Sequence, residues 1–422
     1  MSPILTNRKE KRALAFSVSI LFVGMICDWF VPLNGVFSVN ALAAKNDKVT
    51  SKTLEKAFPH SNKCKRCHLR AYEEWETSAQ SQSIETTAFR VTLDRFLKSV
   101  PDDQQNMCFQ CHAPHILEYG HLGKRFIDEV KSRDPQINGV GCSQCHLISE
   151  VDEGTRPPHP TFTLGKTIYG GYENAAKNLA HESQQLELYQ KSQYCVTCHD
   201  SLPQSVSGGQ LPDWLGTWKT SKAEKEGKTC QTCHMPEAFG ESATGEGARR
   251  VANHSFPGRF GKVRATAVEL ELTTQVKGPQ SEVEVTIQSL VPHNLPLSHP
   301  GWSRVNLDLT ILGKNLKKVY GEKRFYERIY ADKNEGQTVL DFHAVKILKD
   351  TLLQPEEKRV ETFTFPTPSD APSMDVIVTL SYSPVHGPDE LLKAIEAAAT
   401  LRRKDRAFQE VEIFRKKQNV PL

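Results

Sequence analysis

Cys64-Lys-Arg-Cys67-His68 is the first of five copies of one pattern; the others are Cys108-Phe-Gln-Cys111-His112, Cys142-Ser-Gln-Cys145-His146, Cys195-Val-Thr-Cys198-His199 and Cys230-Gln-Thr-Cys233-His234. Eleven cysteines would ordinarily suggest a disulfide framework, but ten of the eleven fall into this pattern and only Cys27 is left over. Two cysteines at i and i+3 lie about one helical turn apart, so both thiolates can form thioethers with the two vinyl groups of one porphyrin while the following histidine points at the iron. Zinc ribbons and thioredoxin-like redox pairs also use Cys-x-x-Cys, but neither explains five pairs each followed at once by histidine. The pattern implies five covalently attached haem c groups, held by these ten cysteines, with His68, His112, His146, His199 and His234 as the proximal ligands.

The motifs occupy only the first half of the chain. Their first cysteines are separated by 44, 34, 53 and 35 residues, which suggests a lone first haem followed by two close pairs. Segments this short cannot cover a porphyrin, so the haems themselves would supply the core and stand in near contact.

Ahead of the motifs, Arg8, Lys9, Lys11 and Arg12 precede an apolar run from Ala13 to Ile26, and Ala41-Leu42-Ala43 resembles a small-residue cleavage site. Residues 1–43 therefore read as a signal peptide for export to the periplasm or beyond, cleaved near Ala43. Asp28 and Pro32 stop the apolar stretch short of the ~20 residues a membrane span needs. The net charge of +3, from 53 basic and 50 acidic side chains, is too balanced for a polyanion-binding protein and argues against nucleic acid as a partner.

Several segments resemble the multihaem cytochromes of the cytochrome c-552/c-554 family: the first motif with Tyr72, Trp75 and Ser78 after it, Gly139-Val-Gly-Cys142 before the third, Tyr169-Gly-Gly-Tyr172 leading to His181, and His234-Met-Pro236 leading to His254-Ser-Phe. The resemblance implies electron transfer through low-spin haems, each with a second, distal histidine that keeps the iron six-coordinate. It points to His181 and His254 as distal ligands, with His115, His121 and His159 as further candidates and His60 in reserve. The family pattern after the first motif runs Trp-x-x-Ser-x-His, whereas this chain has Gln80 at the histidine position. One haem could therefore keep an open site, which makes a nitrogen-oxide reductase the alternative to a carrier. Every proximal residue is histidine, and no Cys-x-x-Cys-Lys motif of the kind found at the catalytic haem of pentahaem nitrite reductases is present.

Beyond Cys233 there is no cysteine, and after the glycines at 240, 245, 247 and 258 the pattern changes. Val268, Leu270 and Leu272, then Val283, Val285 and Ile287, then Val305, Leu307, Leu309 and Ile311, then Val376, Val378 and Leu380 alternate with polar residues, as half-buried strands do. The expected fold is α+β: a haem-packed, mainly α and irregular pentahaem cytochrome domain over residues 44–262, an antiparallel, immunoglobulin-like β-sandwich over 263–387, and a carboxy-terminal helix over 388–418 with a stripe of Leu391, Leu392, Ile395, Ala399 and Phe408. His293, in Pro292-His293-Asn-Leu-Pro296, is either a turn histidine satisfied locally or one that reaches back to an iron. Redox proteins are the expected partners, and the second half could dock the cytochrome onto a membrane complex or onto its own copies.

Overall fold

The computed structural model describes residues 56–115, 139–173, 175, 180–200, 204–258, 266–297, 303–334, 338–385, 387–400 and 410–422. The signal segment and His121 lie outside them. The first motif sits in a 3-10 turn, Ser61–Arg66, whose start is capped by His60: its Nδ1 accepts the Asn62 N–H at 3.1 Å. After it come α1 (Leu69–Glu76) and α2 (Thr87–Ser99). The remaining motifs close short helices that end on the proximal histidine: α3 (Phe109–His112), α4 (Cys142–His146), α5 (Ser192–His199) and, beyond α6 (Trp214–Lys219) and α7 (Lys222–Lys225), α8 (Cys230–His234). The helical turn is what sets the two cysteines of a motif on one side.

Helix α2 owes its place to two local signals. Thr86 Oγ1 accepts the Phe89 N–H at 3.2 Å, closing the amino terminus. Phe89, Leu93, Phe96 and Leu97 recur at helical spacing and are buried against Phe58, Phe109, Leu147 and Phe162. Small strand pairs trim this half: β1 (Ile148–Asp152) with β2 (His159–Phe162), β3 (Thr167–Gly170) parallel to β4 (Glu182–Gln185), and β5 (Glu237–Glu241) with β6 (Ala248–Ala252). The glycine-rich stretch is thus a hairpin rather than a plain linker, with Gly245 and Gly247 at φ of 85° and 81° in its turn. It folds back on the first motif, where the Thr244 N–H donates to the Cys67 carbonyl at 2.8 Å.

The second half begins with β7 (Val268–Lys277), β8 (Gln280–Ser289), β9 (Arg304–Leu312) and β10 (Lys318–Tyr326), followed by β11 (Arg328–Ala331), β12 (Thr338–Val339) and β13 (Lys346–Asp350). It ends with β14 (Lys358–Pro366), β15 (Ser373–Ser383), α9 (Asp389–Thr400) and β16 (Val411–Pro421). An antiparallel sheet in the order β14-β8-β7 and another in the order β10-β9-β15-β16 share one core. Val283, Val285 and Ile287 meet Val305, Leu307, Leu309 and Ile311 there, with Val376, Val378, Leu380, Phe363 and Phe365 completing it. The alternating residues that signal strands in the sequence are the ones that face inward.

Among the described residues the carboxy-terminal helix expected over 388–418 is present as α9; residues 401–409 lie outside them. Residues Val411–Pro421 form β16, paired antiparallel with β15 from Ser373↔Pro421 to Tyr382↔Val411. Pairing with β15 decides it: Ile413 and Val420 turn into the core, while Arg415, Lys416 and Lys417 charge the outer strand, as edge strands commonly are. Of the expected stripe, Leu391 and Ile395 are buried against Ala88 and Leu340, Leu392 and Ala399 are half-buried, and Phe408 lies outside the described residues.

A third sheet, β12-β11-β13, ties the two halves together. The Val206 N–H donates to the Phe342 carbonyl at 2.9 Å, and the Gly209 N–H to the Ala344 carbonyl at 3.2 Å. Phe342 meets Phe96 edge to face at 5.1 Å. A Cβ at Gly209 would stand 2.2 Å from the Ala344 oxygen, so this approach needs glycine. Among the described residues from 56 onward the halves therefore form one compact unit. No described helix is long and apolar enough to cross a membrane.

Leu309, 1% exposed at the centre of β9, tests the shared core. Leu309→Ala should lower the unfolding free energy by about 2–5 kcal/mol, through lost transfer energy and the cavity left behind, measured by denaturant titration of the strand circular dichroism.

Candidate haem-binding site

Four of the five motif segments interlock in pairs through serines that the sequence does not advertise. Ser61, three residues before Cys64, accepts the Cys142 N–H at 3.1 Å, and Ser143 Oγ donates to the Pro59 carbonyl at 3.1 Å. Ser192, three residues before Cys195, accepts the Cys230 N–H at 3.1 Å, and Gln231 Nε2 donates to the Lys191 carbonyl at 2.8 Å. The first and third motifs and the fourth and fifth are therefore joined by the same device, a serine satisfying an otherwise orphan amide at a helix start. The thiols follow suit: Cys64 lies within hydrogen-bonding reach of Cys142, Cys195 of Cys230, and Cys111 of Cys198. Tyr194 and Tyr189 both donate to the Cys145 carbonyl, at 2.9 and 2.8 Å, and bridge the third motif to the fourth.

The expected lone first haem gives way to a different order. Motif one packs on three, three on four, and four on both two and five. Spacing along the chain limits how far apart two motifs can be but does not choose their neighbours, which the serine caps and tyrosines select here.

The histidines divide by what faces them. His68 and His181 stand with ring centres 6.1 Å apart and planes 25° apart. His146 and His254 are 6.3 Å and 31° apart, and His234 and His293 are 6.4 Å and 25° apart. Two imidazoles binding one metal from opposite sides, with a metal–nitrogen distance of about 2 Å each and roughly 1 Å more to each ring centre, are separated by about 6 Å. All six rings in these pairs have Nδ1 on a backbone carbonyl: His68 on Ser242 at 2.7 Å, His146 on Tyr169 at 2.6 Å, His234 on Pro257 at 2.9 Å, His181 on Glu182 at 3.1 Å, His254 on Ala252 at 3.0 Å and His293 on Asn294 at 2.9 Å. A carbonyl only accepts, so Nδ1 carries the proton and Nε2 keeps the lone pair that a metal requires. Burial also favours neutral rings, holding His146, His199 and His293 down to about 4 and His115 down to about 3, and depressing His112 and His254. The donor set fits a porphyrin iron held by thioethers and imidazole.

The other candidates are placed differently. His112 donates from Nδ1 to the Ser83 carbonyl at 2.8 Å and stacks on Phe89 at 4.3 Å, with no second imidazole facing it among the described residues. His199 likewise faces no second imidazole among the described residues; its electrostatic neighbours are His234 and His112. His115 is buried beside Phe58 at 5.7 Å, and its Nδ1 has no hydrogen-bond partner among the described residues. His159 is exposed on β2, opposite Asp152 rather than a proximal ring. His60 uses its Nδ1 as the cap described above. Gln80, at the position where the family pattern has histidine, buries an Oε1 that meets no donor.

Ser61→Ala and Ser192→Ala test the caps. Each leaves a cysteine amide without its acceptor and should cost about 1 kcal/mol of stability, measured by denaturant unfolding of the holoprotein, with haem content unchanged.

Comparison with known proteins finds similarity in part of the sequence and in the fold. Residues 63–147 match the family described as cytochrome c554 and c-prime. Cytochrome c-554 of Nitrosomonas europaea is 25% identical over 148 residues, which are 34% of this chain and 57% of that protein. The chain thus spans little more than half the length of this relative. The crystal structure of a penta-haem cytochrome c552 from Thermochromatium tepidum superposes with a TM-score of 0.66 at 19% identity, covering 86% of this chain and all of that one. That likeness shows a shared fold through both halves. With its Cys-x-x-Cys-His motifs, the chain resembles the multihaem c-type cytochromes of the cytochrome c-552/c-554 kind.

Proposed function

We propose that the chain is an exported pentahaem electron carrier that moves electrons between redox proteins. Haem c, bound at each of the five motifs, supplies reversible one-electron chemistry. The single observation that carries the reading is the unbroken contact of the motif segments, one to three to four, with two and five both on four. Residues of this chain set that run: Ser61 and Ser192 fix adjacent motifs, and Tyr189 and Tyr194 span the third and fourth.

On this reading His68, His112, His146, His199 and His234 are proximal ligands, and His181 and His254 close the first and third irons from the other side. The facing rings and their carbonyl-bound Nδ1 atoms support that assignment. Carbonyl-anchored rings resist rotation, which limits rearrangement when the iron changes charge. We read the two sheets of the second half as an immunoglobulin-like sandwich whose third sheet braces the haem half.

Haem content by pyridine haemochrome and intact mass should give five per chain, with Cys64, Cys67 and the other eight motif cysteines unreactive to alkylation. A strong high-spin resonance near g of about 6 in the oxidised protein, bleached by nitric oxide, would overturn the carrier reading in favour of an open catalytic iron. His181→Ala and His254→Ala should each convert one haem from low to high spin without loss of haem, seen in the low-temperature resonance spectrum; an unchanged spectrum in either variant would remove that histidine from the ligand set.

A further inference from the structure

His293 belongs to the second half of the chain, yet its ring faces the proximal histidine of the last motif. The segment that carries it, Val291-Pro292-His293-Asn294-Leu295-Pro296, is fixed to the two-sheet core and not to the haem half. Leu295 and Leu353 exchange both backbone hydrogen bonds, at 2.8 and 3.0 Å, and the Glu356 N–H donates to the Val291 carbonyl at 3.3 Å. Leu353 is 0% exposed within that core, and Val291 and Leu295 pack against it. Two prolines further restrict the segment's backbone. The Glu356 side chain in turn accepts the Lys222 N–H at the start of α7 at 3.1 Å. His234 is held separately, by the Pro257 carbonyl at 2.9 Å.

We propose that His293 is the second axial ligand of the haem carried by Cys230, Cys233 and His234, so that this haem is ligated across the two halves. The inference rests on the reading that the fifth motif carries a haem. The ring separation of 6.4 Å matches those of the His68–His181 and His146–His254 pairs, and the Nδ1 bond to the Asn294 carbonyl leaves Nε2 free to bind. The β-core then forms part of the coordination sphere of the fifth iron: what loosens the Leu295–Leu353 bridge also loosens an iron ligand. Ligation and folding of the second half are thermodynamically linked, each favouring the other.

The test uses the full-length holoprotein. His293→Ala should keep five haems, convert one of them to high spin in the oxidised state, and return it to low spin on addition of imidazole. His293→Met should stay low spin and show the absorption of a histidine–methionine haem, with one midpoint potential raised. Leu297→Ala, at an exposed neighbouring side chain, should change neither signal. Five haems with an unaltered low-spin spectrum in His293→Ala would overturn the inference while leaving the pentahaem reading intact. Alkylation of Cys230 and Cys233 in the wild-type protein would instead overturn the pentahaem reading beneath it. If His293→Ala fails to fold or loses a haem, the His293→Met spectrum decides: a histidine–methionine signature upholds the ligand, and a wild-type spectrum refutes it.

Discussion

An imidazole binds iron only through an unprotonated nitrogen, and here the backbone determines which nitrogen that is. Six rings in three facing pairs present Nδ1 to carbonyls of residues as distant as Ser242 from His68 and Tyr169 from His146. Each such bond fixes a tautomer and a ring direction together. Much of the irregular architecture of the haem half follows. The β5–β6 hairpin returns to the first motif and thereby delivers the Ser242 carbonyl, and β3 delivers that of Tyr169. Segments that look like connectors in the sequence hold these imidazole rings in place.

The attachment sites were legible because covalent chemistry demands a fixed spacing, which repetition makes unmistakable. The strands were legible for a similar reason: Val283, Val285 and Ile287 can alternate only if one face is buried. Family resemblance singles out His181 and His254, and each faces a motif histidine. His293 was not separable from a turn histidine, because its counterpart lies 59 positions earlier, at His234, and the two meet only after both halves fold. Ser61 and Ser192 left a faint signal, a serine three residues before a motif, which gains meaning only once a second motif is seen to dock there. Residues 411–418 read as helix in the sequence because a charged, Lys-rich tail with scattered apolar residues fits both periods, and pairing with β15 makes them strand.

The second half is bound to the first at three places of different character. α9 buries Leu391 and Ile395 on α2, β11–β13 accepts the backbone of residues 206–209, and the Pro292–Pro296 turn carries His293 to the last motif. The first two contacts are ordinary packing and hydrogen bonding. The third brings a ring from the β-core to the end of the motif run.

The two serine-capped junctions differ in how much chain each encloses. Ser192 and Cys230 are 38 positions apart, whereas Ser61 and Cys142 are 81 apart. Doubling a loop adds only about 0.6 kcal/mol of closure entropy, so the finished junctions are nearly equal in that respect, but they are not equal in time. A chain made from its amino terminus exposes the first motif earliest and leaves it without its neighbour until the third has appeared. The junction at the fourth and fifth motifs can close almost as soon as its parts exist. The oldest part of the growing chain therefore waits longer for its neighbour than the part made last.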